Sequence, residues 1–290
     1  MELELKKECL DTYEPGEPQT LTQEETTETI VPDYCPDIAR IISAEGAVYL
    51  HGGAEQEGLS GTVRVTVLYT PENETGVRAL EFALPFTAQG EGLSDCTHVA
   101  AETEIELLES RMLNPRKIFT RCKLVTHLTG YRKVCLSLSS DVETLPEQRV
   151  EKRCCGQAAT LLRQIAEKDL TFSETMSLSL GREGAAELLH CRTSGTVTET
   201  KVIGNKLIFK GVFLVSVLYH TTGGQLASAS SELPFSQIME IDSASESVQV
   251  SMYLQITGAD IQIDGSDDEG RQLAVTIYYR AMALLRESRE

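Results

Sequence analysis

The residues of this sequence best suited to chemistry are eight cysteines and five histidines, and their spacing decides what they could do. They are Cys9, Cys35, Cys96, Cys122, Cys135, Cys154, Cys155 and Cys191, with His51, His98, His127, His190 and His220. Zinc sites and thiol redox centres usually use CxxC pairs or histidines at short fixed intervals. The sequence has no CxxC, and no histidine lies at zinc-finger spacing from a cysteine pair. We therefore expect no metal or other cofactor, and histidines that are surface or isolated core residues.

The redox state of the cysteines depends on the cellular compartment. The N-terminal segment MELELKKECLDTYEP contains no apolar signal region, so the sequence favours reduced thiols in a cytosol over a disulfide framework. The adjacent Cys154 and Cys155 leave two alternatives open, because such a pair can be redox-active or bind a metal. The favoured interpretation is that one side chain faces in and the other out.

Other catalytic patterns are weak or missing. The acidic segment DGSDDEGR, residues 264 to 271, lacks the spacing of a calcium-binding EF-hand loop and is better explained as a solvated turn. The sequence contains neither GxSxG nor a phosphate-binding glycine loop. A carboxylate pair for glycoside hydrolysis stays open, although the absence of tryptophan disfavours a sugar-stacking cleft. The sequence predicts a protein that is not an enzyme.

The charge is strongly acidic and unevenly distributed. The formal net charge is −18, and residues 1 to 60 carry fourteen acids against three bases. Such a surface repels phosphate groups, so nucleic acid is not expected as a partner. The mainly apolar runs are far shorter than the roughly 20 residues of a membrane helix, so membrane insertion is not expected either. The acidity favours solubility, with attraction of a basic partner as the alternative.

One strand-like segment occurs twice. GTVRVTVLY at residues 61–69 returns as GVFLVSVLY at 211–219, an offset of 150, and Leu-Pro-Phe at 84–86 returns at 233–235, an offset of 149. In both copies apolar residues alternate with other residues at every second position, and the alternation stays in phase when the copies are aligned. This pattern favours equivalent strands in two domains of the same fold. We interpret the chain as a tandem duplication of two β-sandwich-like domains.

The domain boundaries are predicted at residues 1–147 and 148–290. Each VLY strand should open a hairpin whose return strand carries the proline on an edge, with leucine and phenylalanine in the core. The recurring residues are Gly61, Tyr69, Leu84, Pro85 and Phe86 in the first copy, and Gly211, Tyr219, Leu233, Pro234 and Phe235 in the second. The sequence therefore predicts an all-β fold whose repeated motif is structural.

Each copy is also predicted to contain one short helix. In VPDYCPDIARIISAEG, residues 31–46, Pro36 suits the first helical position, Asp37 suits the positive N-terminal end, and Gly46 would end the helix. Isoleucines spaced three and four apart would form its apolar face. In the second copy, GAAELLHC at residues 184–191 offers a weaker equivalent.

Three features together resemble the SPOCS domain of endospore coat assembly proteins of the SipL and SpoVID type. They are the VPDYCPDIARII segment, the G-x-V-x-V-x-VLY strand and the Leu-Pro-Phe that follows it, the last two in tandem. The resemblance implies a scaffold in the mother-cell cytoplasm at the developing spore surface. Its partners would be other spore coat proteins, with the coat morphogenetic ATPase as a candidate and self-association open. Family members often end in a LysM module, which is not recognisable here.

The DYCP segment is the expected partner-specific surface, because it is not repeated in the second copy. Its candidate binding residues are Asp33, Tyr34, Cys35, Pro36, Asp37 and Arg40. The alternative function is a carbohydrate-binding β-sandwich module for cell-envelope glycan, which rests on fold analogy alone.

Overall fold

The chain folds into antiparallel β-sheets. The computed structural model describes residues 4–51, 59–143, 158–178, 183–242, 248–265 and 270–289. The first half contains β1 Glu4–Pro15, β2 Gln19–Ile30, β3 Ile38–His51, β4 Leu59–Pro71, β5 Arg78–Ala88, β6 His98–Asn114 and β7 Lys117–Glu143. The second half contains β8 Ala159–Ser177, β9 Ala185–Ile203, β10 Lys206–Thr221, β11 Leu226–Glu240, β12 Gln249–Ile263 and β13 Gln272–Arg289. The predicted domain boundary near residue 147 lies outside the described residues.

Each half has two sheets that enclose a core. In the first half β7 pairs with β2 and β6, and β4 pairs with β3 and β5. In the second half β13 pairs with β8 and β12, and β10 pairs with β9 and β11. Alternate side chains of β4 and β7 meet in one core, and those of β10 and β13 meet in the other. The all-β prediction is confirmed, and each half is sandwich-like.

The main pairing scheme is the same in both halves, and two of its irregularities recur. Strand β3 has two bulges, at Ala39 and Ile42, where it pairs with the end of β4. Strand β9 has two bulges, at Ala186 and Leu189, where it pairs with the equivalent end of β10. That the halves arose by duplication stays a prediction from the sequence, which the common pairing supports.

The predicted helices are wrong. Residues 36–46 lead into and form β3, and residues 184–191 lead into and form β9. The two bulges explain the error, because each adds one residue before the next inward-facing position. Ile38, Ile41 and Ala44 therefore all face the core at intervals of three, which imitates helical spacing. A three-residue 3₁₀ turn, Leu93–Asp95, is the helical element among the described residues.

The recurring residues lie in the two cores or on the strands that border them. Tyr69 and Tyr219 are fully buried, and Leu84, Phe86, Leu233 and Phe235 are nearly so. Gly61 lies opposite Phe86, and Gly211 lies opposite Phe235. A Cβ atom on either glycine would come within 2.4 Å of the phenylalanine ring, so glycine provides the space that the ring occupies. Pro85 and Pro234 lie on the edge strands β5 and β11.

Strand β1 corresponds to the first part of β8, which pairs with the C-terminal part of β13, and β1 carries a disulfide. It pairs with the C-terminal part of β7, where Cys9 and Cys135 are joined with their Cα atoms 5.6 Å apart. The expectation of reduced thiols is wrong for these two cysteines, because the register places them on the same face of adjacent strands. Cys35, Cys96, Cys122 and Cys191 are free, and Cys154 and Cys155 lie outside the described residues.

Three histidines connect the halves. His98 Nδ1 is 2.7 Å from a carboxylate oxygen of Glu167, and His190 Nε2 is 3.0 Å from one of Glu45. His220 Nε2 lies 2.7 Å from the carbonyl oxygen of Val77. The expectation of surface or isolated core histidines therefore misses their position at the junction.

Candidate partner-binding site

The DYCP segment forms a loop between β2 and β3, residues 31–37, which we call the Tyr34 loop. Both of its ends are tied to the turn between β6 and β7. The Val31 N–H donates to the Arg116 carbonyl at 2.9 Å, and the Ile38 N–H donates to the Pro115 carbonyl at 2.9 Å. The Glu72 N–H donates to the Asp37 carbonyl at 2.7 Å, which fixes the loop to the β4–β5 hairpin as well.

The side chain of Arg116 holds the loop from within. Its Nη1 donates to the Cys35 carbonyl at 2.8 Å and to an Asp37 carboxylate oxygen at 3.0 Å. Its Nη2 donates to the Val31 carbonyl at 2.9 Å and to an Asp33 carboxylate oxygen at 3.1 Å. A guanidinium group offers several donors in one rigid plane, so a single side chain can fix the loop at both ends.

The underside of the loop rests on the first core. Val31 and Ile38 are fully buried, and Cys35 packs against the same cluster. The Tyr69 hydroxyl donates to the Pro36 carbonyl at 3.3 Å. Burial, assisted by Cys35, raises the pKa of Tyr69 to about 12, so the hydroxyl keeps its proton and remains a donor at neutral pH.

The outer side of the loop is exposed and partly apolar. Tyr34 is 88% exposed, and Ile30, immediately before the loop, is 71% exposed. Met112 and Leu113, at the end of β6, are 41% and 45% exposed. The register brings these elements together, because Ile30 and Asn114 both pair with Lys117. Exposed aromatic and aliphatic side chains on a fixed backbone are typical of binding surfaces.

The structure gathers five of the six candidate binding residues in this loop: Asp33, Tyr34, Cys35, Pro36 and Asp37. Arg40 lies further along, in β3, where its carbonyl accepts a hydrogen bond from the Thr70 hydroxyl at 3.3 Å. Asp37 does not begin a helix, since it pairs with Arg116 instead. Sequence reasoning missed Arg116, although the Asn-Pro-Arg turn that carries it is a recognisable turn signal.

A separate cavity lies beside the bulged part of β3. Its volume is about 880 Å³, and it lies between β3 and the outer side of β6 and β7. The Arg111 guanidinium lies over the Phe119 ring there, 4.8 Å from its centroid. The described residues contain no group of three or more His, Cys, Asp or Glu side chains arranged to hold a metal ion. The acidic turn predicted at 264–271 is described only at its ends.

Comparison with known proteins gives one match. Residues 185–264 match the family model described as SipL, SPOCS domain. This part of the chain is therefore similar to a SPOCS domain. No curated protein and no solved structure gives a significant match.

The SPOCS match covers the sheet of β9, β10 and β11 together with β12. The recurring residues Gly211, Tyr219 and Leu233–Phe235 therefore lie within the matched residues. The Tyr34 loop lies outside the matched residues. In the part of the chain that the structure describes, no helix is long and apolar enough to cross a membrane.

In the second half, the loop between β8 and β9 has the same backbone frame as the Tyr34 loop. The Leu178 N–H donates to the Arg271 carbonyl, and the Ala185 N–H donates to the Gly270 carbonyl, both at 2.8 Å. Arg271 thus occupies the position of Arg116, while the tip of this second loop, residues 179–182, lies outside the described residues. Tyr219 differs from Tyr69, because its buried hydroxyl has no hydrogen-bond partner among the described residues.

Proposed function

We propose that this protein is a non-enzymatic scaffold of endospore coat assembly in a sporulating bacterium. The observation that carries the proposal is the SPOCS match over residues 185–264. The first half is proposed to be a second SPOCS domain, on the basis of its corresponding strand pairing and the two bulges that β3 and β9 have in common. The protein would act in the mother-cell cytoplasm, at the surface of the developing spore.

The Tyr34 loop is the proposed contact with a coat partner. Its backbone is fixed by Arg116 and by the core beneath it, so binding would order few additional groups. Tyr34 supplies a large exposed ring, and the exposed Ile30 and Leu113 lie at the strand ends next to the loop and to the turn that anchors it. Other coat proteins are the proposed partners, and the coat morphogenetic ATPase is the first candidate to test.

A fluorescent fusion of the full chain, followed through sporulation, tests the proposed role. We expect the fluorescence to form a shell around the forespore, and we expect deletion of the gene to mislocalise coat while engulfment proceeds. Diffuse fluorescence throughout sporulation would contradict the proposal.

The contribution of the loop is tested separately in the same fusion. The substitution Tyr34→Ala removes a side chain that is 88% exposed, so it should weaken the shell without lowering the thermal stability of the purified protein. Tyr278→Ala is the matched control, because Tyr278 is an exposed tyrosine (47%) on β13. Equal shells for Tyr34→Ala, Tyr278→Ala and the unaltered protein would exclude the loop and leave the scaffold role standing.

A further inference from the structure

Strand β7 is longer than its neighbour β6, so its C-terminal part extends beyond the sheet that β2, β6 and the first part of β7 form. Its pairing with β6 ends at His98 and Tyr131, whereas its pairing with β1 continues to Glu143. Residues 131–143 and β1 therefore form a two-stranded ribbon, which the Cys9–Cys135 disulfide links internally. Within the described parts of the chain, no strand pairs with the other edge of β7 beyond Tyr131. The opposite edge of the ribbon, on β1, contacts β8, where the Thr12 hydroxyl donates to the Leu162 carbonyl at 2.9 Å.

Two hydrogen bonds at the base of the ribbon show which backbone groups point to this free edge. The Tyr131 carbonyl accepts from the Thr97 N–H at 2.8 Å, on the side where β6 ends. The Gly130 carbonyl accepts from the Gly16 N–H at 2.8 Å, on the opposite side. Because these directions alternate along a strand, the N–H and C=O groups of Lys133, Cys135, Ser137 and Ser139 point to the free edge.

The side chains along the same stretch alternate in character. Val134, Leu136 and Leu138 share one face of the ribbon, and Leu10 of β1 lies directly opposite Leu136. Leu136 and Leu138 are 39% and 44% exposed. An apolar face on a strand with an unpaired edge is the arrangement that most readily accepts another strand.

We propose that this edge of β7 pairs antiparallel with the same edge of a second copy of the chain, about a two-fold axis at Leu136. In this register Leu136 lies opposite Leu136 of the second copy, and Val134 lies opposite Leu138 of the second copy. Four leucines then form one row across a four-stranded sheet, since Leu10 lies beside Leu136 in each copy. The interface is isologous, as two-fold symmetry requires.

The register also satisfies the backbone and the charges. Cys135 pairs with Ser137 of the second copy, and Lys133 pairs with Ser139 of the second copy, so every outward backbone group between them meets a partner. Lys133 is the only charged residue from 133 to 139, so no like charges face each other. An axis at Cys135 would instead place Leu138 opposite Arg132 of the second copy.

The contact is small. About seven residues of each strand would bury much less than the roughly 800 Å² per partner of a standard stable interface. The pairing should therefore be weak for an isolated pair and become strong where many copies are held together, because linked weak contacts reinforce one another. This inference goes beyond the proposed coat role, and its test needs no coat partner.

Sedimentation velocity on the purified full chain, from low micromolar to submillimolar concentration and without reductant, tests the pairing. We expect a concentration-dependent dimer. The substitution Ser137→Pro removes a backbone N–H that points to the free edge, and it removes no hydrogen bond to β1. Because each copy carries the substitution, a dimer loses two such donors. The dissociation constant should rise at least about tenfold, whereas Ser137→Ala should leave it unchanged. A chain that remains monomeric throughout would overturn the proposal.

A charge exchange at the axis tests the register independently of any folding defect in Ser137→Pro. Leu136→Lys and Leu136→Glu should each be monomeric, because each places like charges opposite one another. An equimolar mixture of the two should associate, because lysine then faces glutamate. A mixture that stays monomeric while the unaltered chain dimerises would show that another surface forms the dimer and would overturn the proposed pairing.

Discussion

The two halves share one scaffold and differ at the loop that enters their bulged strand. In the first half, Arg116 and the Tyr69 hydroxyl both bind the Tyr34 loop. In the second half, the frame around Arg271 is the same, but the Tyr219 hydroxyl is buried without a partner among the described residues. The difference teaches that the recurring residues build the sandwiches, while the loop on top of them is where the halves have specialised.

The largest expected effect concerns what the halves share. Tyr69→Ala and Tyr219→Ala each remove a fully buried aromatic ring, so each should lower the free energy of unfolding by about 3 to 5 kcal/mol. Chemical denaturation of the purified variants measures this. A change in the free energy of unfolding below about 1 kcal/mol at either position would show that the two tyrosines do not play equivalent roles in the two cores.

An intermediate effect is expected from the clamp of the first half. Arg116→Ala removes four hydrogen bonds to the Tyr34 loop and leaves Asp33 and Asp37 without their cation, so stability should fall by about 2 kcal/mol. Arg132→Ala, which removes an exposed pair with Glu14, should cost less than about 1 kcal/mol. Limited proteolysis should cut the loop faster in Arg116→Ala. Equal stability and equal cleavage in both variants would show that the loop is not held by Arg116.

The smallest effect distinguishes the halves most directly. Tyr69→Phe deletes a hydroxyl that donates to Pro36, so it should cost about 1 kcal/mol. Tyr219→Phe deletes a buried hydroxyl that lacks a partner among the described residues, so stability should change little or rise slightly. Denaturation midpoints of the two variants provide the comparison, and a larger loss for Tyr219→Phe would reverse it.

Much of the fold could be predicted because the strands bury alternate residues. The period-two pattern located β4, β5, β10 and β11, and the recurrence of Gly61 and Gly211 agrees with their positions opposite phenylalanine. Glycines outside the recurring motif do not correspond, however. Gly46 lies opposite Val65, whereas Gly195 lies opposite Phe213, the counterpart of Val63. The sequence showed which residues of a strand face the core. It did not show the small insertions that shift one strand relative to the next.

Only part of the candidate site could be predicted from the sequence. The sequence indicated the loop from Asp33 to Asp37, because these residues are adjacent and unrepeated. It did not indicate that Arg116, some eighty positions later, would bind both ends of that loop. The same limit applies to His98 and His190, whose partners Glu167 and Glu45 belong to the opposite half.

The sequence by itself determined the strands, their inward faces and the recurring glycine, tyrosine and Leu-Pro-Phe, because burial of alternate residues is a local property. The tertiary structure alone decided that residues 38–46 are a bulged strand, because a bulge is defined only against the partner strand β4. The tertiary structure also decided that β7 extends beyond the end of β6, which leaves one edge of β7 unpaired among the described residues. Strand pairing joins residues far apart in the chain, and one strand's pattern does not show where its neighbour stops.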